Sequence, residues 1–203
     1  MSGKVTLILG GARSGKSWWA EKLAEKSGRP VVFVATATAG DAEMALRIEA
    51  HRAARPVSWR TVEAPDDLSA AVLSSASAGD LVLVDCLTFW VTNVMLGRVP
   101  GSADLDSVPA AVWSATETEL VDAAENLIAA ARSLEIDLIL VSNEVGLGIV
   151  PPYPLGRAFR DALGRVNQAV ARRADSVVLM IAGLPIDARR LVAEEFRGIG
   201  DLF

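Results

Sequence analysis

Apolar residues fall along this chain in two rhythms that alternate from one end to the other. Five short runs are apolar almost without a break: KVTLILG (4–10), VVFVAT (31–36), LVLVD (81–85), DLILVSN (137–143) and SVVLMIAG (176–183). Runs of this length predict strands covered on both faces, which is the condition of a strand inside a parallel sheet. Between them, alanine-rich segments carry apolar residues at helical spacing: KSWWAEKLAEKSG (16–28), DAEMALRIEAHRAA (41–54), PDDLSAAVLSSA (65–76), PAAVWSATETELVDAAENLIAAARSL (109–134) and LGRAFRDALGRVNQAVARRA (155–174). These predict helices, with Gly28 and Gly79 placed as stops. Strand and helix in alternation predict an α/β fold, a mostly parallel sheet with helices on both faces and right-handed crossovers. At 203 residues the chain suits one domain spanning 1–203.

Two stretches follow neither rhythm. GRVPGSADLDSVP (97–109) is rich in glycine and proline and reads as an exposed connection. EVGLGIVPPYPLG (144–156), with three glycines and three prolines, follows a strand end. Ligands of open α/β sheets bind outside the carboxyl ends of the strands, so this second loop is a candidate lid or substrate wall.

Composition narrows the class. Half of the residues are apolar, 51%, enough for a sizeable core, yet no run approaches the roughly 18 apolar residues of a membrane span. The start, MSGKVTLILGG, leads into a glycine loop rather than a cleavage site, so we expect a soluble cytoplasmic protein with no signal peptide and no transmembrane segment. The lone cysteine, Cys86, excludes an intramolecular disulfide and a cysteine-cluster zinc site, and it reads as a buried small hydrophobe. A net charge of -5 argues against a nucleic-acid partner, which needs a basic face, although local basic clusters can still hold an anion.

One such cluster is GGARSGKS, which fits the pattern G-x-x-x-x-G-K-[ST] with Gly10, Gly15, Lys16 and Ser17. It lies between a predicted strand and a predicted helix, the context the pattern requires. Backbone N–H groups of Gly10, Gly11, Ala12, Arg13, Ser14 and Gly15 can turn toward one point there, Lys16 reaches outer phosphates, and the Ser17 hydroxyl can ligate Mg2+. The ligand should carry a polyphosphate. The run LVLVD ends on Asp85, where phosphate-loop proteins hold a second carboxylate near Mg2+; by itself an apolar run ending in aspartate is read equally well as a plain strand terminus.

RIEAHRAARP (47–56) holds the chain's only histidine, His51. On a helix, Arg47, His51 and Arg55 share one face, and like charges so placed gain from an anion. Neighbouring cations disfavour a proton on imidazole, and an uncharged ring nitrogen is a nucleophile toward phosphorus whose charge is screened. The other reading is a solvated helix with a stray histidine.

These residues resemble a known family, the bifunctional adenosylcobinamide kinase and adenosylcobinamide-phosphate guanylyltransferase of cobalamin biosynthesis. The similarity runs over nearly the whole chain, through GGARSGKS, EMALRIEAHRAARPVSWRTVEAP, DCLTFWVTN, VSNEVGLGIVPPYPLGRAFRDALGRVNQAVARRAD and VVLMIAGLPI. The resemblance implies a P-loop NTPase with a RecA-like sheet and two activities. ATP or GTP phosphorylates adenosylcobinamide; then GMP passes from GTP to a histidine, with loss of pyrophosphate, and on to adenosylcobinamide phosphate. The family pattern H-R-x-x-R-P falls on His51, Arg52, Arg55 and Pro56, which makes His51 the GMP carrier. It also implies that Arg52, Ala53, Ala54, Arg55, Glu63, Asp85 and the segment Thr36, Ala37 and Thr38 line the GTP site, that Mg2+ is required, and that the protein is a homo-oligomer, a trimer. Some relatives carry glutamate at the position of Asp85, and a shorter arm alters its distance to Mg2+. Trp18 and Trp19 stand where a small or basic residue followed by one aromatic is expected; they read as helix packing or as a contact with corrin, base or a neighbouring subunit.

Two rival readings stay open at this level. A small-molecule kinase would use the phosphate loop alone, with His51 as structure. A regulatory P-loop ATPase would hydrolyse nucleotide without regard to cobinamide, and it leaves RIEAHRAARP without a role.

Overall fold

The computed structural model describes residues 2–53, 55–99 and 107–191. In chain order the elements are β1 (Val5–Gly10), α1 (Lys16–Lys26), β2 (Val31–Ala35), α2 (Ala42–Ala53), β3 (Arg60–Glu63), α3 (Leu68–Ser75), β4 (Leu81–Asp85), α4 (Leu87–Gly97), α5 (Ala110–Ser133), β5 (Asp137–Asn143), α6 (Pro154–Arg173), β6 (Ser176–Ile181) and β7 (Leu184–Asp187), followed by a single 3-10 turn at Ala188–Leu191.

The strands form one sheet in the order β3-β2-β4-β5-β1-β6-β7. All pairs are parallel except β6 with β7. Unbroken apolar runs are what such a sheet needs, because alternate side chains enter two separate cores. Val5, Leu7, Val82, Val84, Leu138 and Leu140 pack beneath α3 to α6. Ile8, Phe33, Leu83, Ile139 and Val141 face the other way, onto Ala20 and Ala24 of α1. Burial of the larger of these side chains stabilises the fold by roughly 1.5–3 kcal/mol each before chain entropy is counted. The order also sets β5 between β1, which carries the glycine loop, and β4, which ends in Asp85. That is the RecA-like arrangement, and it brings both functional strand ends to the same edge of the molecule.

All five predicted strands are present, and two more join them. Both additions, β3 and β7, are four residues long and largely exposed at the sheet edges, so they lack the apolar run that marks an interior strand. Helix α4, LTFWVTNVMLG, is a further element beyond the predicted set; it buries Leu87, Trp90, Val91 and Met95, and its β-branched and aromatic residues are weak helix formers. Helix α3 begins later than the pattern suggests because Asp67 caps it, accepting from the Ala70 N–H at 2.9 Å. Gly28 stands just past α1 with φ 66°, as a stop should. Gly79 does not end α3; it serves the turn into β4, its N–H donating to the Glu135 carbonyl at 3.0 Å. The predicted connection 97–109 starts on the last residue of α4, and its residues 100–106 lie outside the described ones. Among the described residues no helix is long and apolar enough to cross a membrane.

Candidate nucleotide site

Between β1 and α1 the chain makes a tight loop whose shape depends on particular residues. Gly15 (φ 90°) and Arg13 (φ 57°) both occupy the left-handed region. A Cβ on Gly10 would meet Ser14 Oγ at 2.5 Å and the Met180 carbonyl oxygen at 2.9 Å, so no side chain fits there. The β6–β7 turn supports the loop from outside, Gly183 N–H donating to the Ser14 carbonyl at 3.0 Å. Lys16 Nζ reaches across the loop to the Gly11 carbonyl at 3.0 Å. The first turn of α1 has neither a capping side chain nor an acidic residue, the configuration in which an anion completes a helix N-terminus.

The neighbouring strand ends are tied to this loop by hydrogen bonds. Glu144 N–H donates to the Gly10 carbonyl at 3.1 Å. Asn143 N–H donates to Thr88 Oγ1 at 2.9 Å, which joins β5 to the first turn of α4. Thr36, fully buried, accepts from Cys86 N–H at 2.8 Å and donates to the Cys86 carbonyl at 2.7 Å. Asn93 Nδ2 donates to the carbonyls of Thr36 and Pro65 at 2.8 and 3.1 Å. The stretch after β4 thereby fixes the position of Asp85.

Asp85 is mostly buried, and burial pushes its carboxyl above the usual carboxylate range; a hydrogen bond from Ser17 and the charges of Lys16, His51 and Arg55 act against that shift. Burial pulls the Lys16 ammonium below its ordinary value, with Cys86 and Asp85 opposing. Cys86 is a buried free thiol pushed up to about 11, chiefly by burial and then by Asp85. A neutral thiol in that setting is packing material, as its place in the sequence suggests.

The second basic group arrives from α2. His51 is exposed in the last turn of this helix, within the electrostatic reach of Asp85 and of Glu21 on α1. Arg55 lies over the Phe33 ring, Cζ 3.5 Å from the centroid, and Phe33 in turn stacks on Trp59 with centroids 6.4 Å apart. Burial draws the Arg55 guanidinium downward, and Glu21 and Asp85 act to restore it. Arg52 and Glu63 form an exposed pair at 3.8 Å. Ala53 is exposed beside them. Ala54 lies outside the described residues, as does the Arg47 side chain, so the predicted three-residue basic face is seen here through His51 and Arg55.

The structure therefore brings Lys16, Ser17, Asp85, His51 and Arg55 together at one end of the sheet. Within the segment 36–38, Thr36 points inward and spends its hydroxyl on Cys86, whereas Ala37 is half-buried and Thr38 exposed. Trp19 packs against the core on the α1 side, and Trp18 is 60% exposed. Glu21 escaped the sequence reading. Burial, then the charge on Asp85, raises its carboxyl, while His51 and Arg55 lower it. Its position one helical turn after Ser17 was the available signal.

This end of the sheet is built to receive a polyphosphate, and the molecule is a P-loop nucleotide-binding protein of RecA-like topology. Sequence comparison supplies the particular kind: residues 6–188 match the family described as cobinamide kinase / cobinamide phosphate guanyltransferase, and the chain belongs to that family. It is 46% identical over 180 residues to the bifunctional adenosylcobalamin biosynthesis protein CobP of Pseudomonas aeruginosa, covering 89% of this chain and 94% of that one. To the bifunctional adenosylcobalamin biosynthesis protein CobU of Escherichia coli it is 41% identical, again over 180 residues, covering 89% and 97% of the two chains. Among solved structures, the RadB recombinase aligns with a TM-score of 0.47 at 16% identity, over 88% of this chain and 74% of that one.

Proposed function

We propose that this protein phosphorylates adenosylcobinamide with ATP or GTP, then transfers GMP from GTP through a covalent GMP-His51 intermediate to give adenosylcobinamide-GDP and pyrophosphate. The observation that carries the reading is the placement of His51 in the electrostatic reach of Asp85, whose carboxylate hydrogen-bonds the phosphate-loop Ser17. A kinase alone has no use for an imidazole there.

For phosphoryl transfer the chain mainly positions and neutralises charge. The loop amides and Lys16 hold the phosphates. Ser17 and Asp85 offer a hydroxyl and a carboxylate already in contact, and the burial cost on Asp85 is what a cation would relieve, so the pair suits Mg2+. When bound there, Mg2+ supplies charge neutralisation between the phosphates. For guanylyl transfer His51 attacks the α-phosphorus in line with departing pyrophosphate, and Arg52 and Arg55 offset the phosphate charge. Glu63 accepts a hydrogen bond from the nucleoside. Asn143 and Glu144, at the end of β5, face the acceptor hydroxyl. Leu147, Ile149, Val150 and Tyr153, between 52% and 96% exposed, give the loop after β5 an apolar surface suited to the corrin of the acceptor. We place the reaction in the cytoplasm and in a homo-oligomer.

Mass spectrometry after incubation with GTP and Mg2+ tests the reading. Wild type should gain one GMP that is lost in acid, and His51→Ala should gain none while still phosphorylating adenosylcobinamide. Wild type without an adduct would leave a kinase alone.

A further inference from the structure

We propose that Glu21 is a positioning residue for guanylyl transfer, holding His51 and Arg55 against the α1 side of the phosphate loop and balancing the charge the imidazole acquires when it takes GMP. The proposal rests on the reading of His51 as GMP carrier. Its first support is the way α2 is attached. No described residue of α2 is buried, so apolar packing does not set where His51 stands. The groups that face the end of this helix are charged.

Those groups can be named. Asp85, from β4, is engaged by Ser17 and faces Lys16. Glu25, the next carboxylate along α1, is paired with Lys22 at 2.7 Å. Glu21 is the remaining acidic side chain in the field of both His51 and Arg55. Position on the helix supports the same assignment. Ala20 and Ala24 turn into the core that contains Phe33, and Arg55 lies on that same Phe33 ring. Glu21 is thus at the flank where α1 meets the residues that follow α2.

The chemistry gives such a carboxylate work to do. In the covalent step a lone pair on one ring nitrogen forms the P–N bond while the bond from the α-phosphorus to the bridging oxygen breaks, and that electron pair leaves with pyrophosphate. The ring keeps the proton on its other nitrogen and becomes positively charged. A carboxylate beside it orients the ring beforehand and stabilises that charge as it develops. When an oxygen of the phosphorylated acceptor attacks, the P–N bond breaks, its pair returns to the ring, and the positive charge disappears.

Glu21→Gln keeps size and hydrogen-bonding capacity but removes the charge; Glu21→Asp keeps the charge on a shorter arm. Adduct formation is timed by rapid quench at saturating GTP, with the phosphorylation rate and melting temperature of each variant measured alongside. We expect Glu21→Gln to slow formation of the GMP adduct by about 10- to 100-fold, a loss exceeding that in phosphorylation by at least about tenfold, with KM for GTP little changed and Glu21→Asp intermediate. An adduct formed at the wild-type rate in Glu21→Gln would overturn the proposal, and so would a parallel fall of both reactions and of melting temperature in both variants. If wild type forms no adduct, the GMP-histidine reading itself fails and this proposal goes with it; if wild type forms one and Glu21→Gln matches it, only the role of Glu21 fails.

Discussion

Two regions of this molecule treat charge in opposite ways. At the nucleotide end of the sheet the shifts run against ionisation: Asp85, Glu21 and Cys86 upward, Lys16 and Arg55 downward, with burial the leading cause in every case. On the outer surface of α5 and α6 the shifts favour it. There the Glu125 carboxyl is lowered and the Arg173 guanidinium raised, each first by the 2.6 Å hydrogen bond between them. The outer pair helps the empty protein to fold. The inner groups cost it stability and are retained for what binds among them, which is how functional sites commonly depart from the stability optimum.

The largest effect that would break this contrast concerns Lys16. If the inner charges exist for a polyphosphate common to both reactions, Lys16→Ala should lower phosphorylation and guanylylation alike, by roughly 10²-fold or more each, the scale of losing one charge-stabilising donor. Steady-state assays of the two steps check this. Survival of either step would divide the site in two.

Next in size is the clamp beneath Asp85. Thr36→Val keeps shape but deprives the buried Cys86 N–H and carbonyl of their partners at 2.8 and 2.7 Å. Chemical denaturation should show a loss of about 1–3 kcal/mol, the cost of leaving buried polar groups unpaired. This variant sharpens the comparison because the clamp, unlike the charges above it, stabilises the empty fold.

Smaller, and opposite in sign, is the effect of Asp85→Asn. Removing a carboxylate held above its ordinary range by burial should raise the melting temperature of the nucleotide-free protein, by about 2–4 °C if the relief is about 1 kcal/mol, while turnover falls. A lower melting temperature would mean that the interactions with Ser17 and Lys16 outweigh burial, and the contrast between the two regions would fail.

How much of this arrangement the chain announces depends on whether a feature is local. The phosphate loop is eight consecutive residues between a strand run and a helix, and it was legible together with Asp85 at the end of its own strand. Interior strands were legible because burial on both faces writes an unbroken apolar run. Edge strands β3 and β7 are exposed and write nothing comparable. Helix α4 was hidden because it is buried and poor in strong helix formers. The role of Thr36 was misjudged in emphasis: its place after β2 suggested the nucleotide, and its hydroxyl proved to be committed to Cys86 across a fifty-residue separation. Glu21 was missed for the same reason, since nothing near it in sequence says that the end of α2 will stand opposite.

The smallest predicted effect lies at the outer pair, and its sign distinguishes it from Asp85. Because the Glu125 carboxyl is lowered, the pair contributes above the ordinary carboxylate value of 4.5, and that contribution is lost as pH falls through the lowered value; Arg173 stays charged throughout. The side chains are 49% and 28% exposed for Arg173 and Glu125, so solvent screening holds the contribution to roughly 0.5 kcal/mol or less. Glu125→Gln should therefore lower the melting temperature at neutral pH by no more than about 2 °C, with the difference from wild type shrinking as the solution is acidified. Both transfer reactions should proceed at wild-type rates, since neither member of the pair is near the phosphate loop. Two carboxylate-to-amide changes in one protein would then move stability in opposite directions, and only the stabilising one would cost activity.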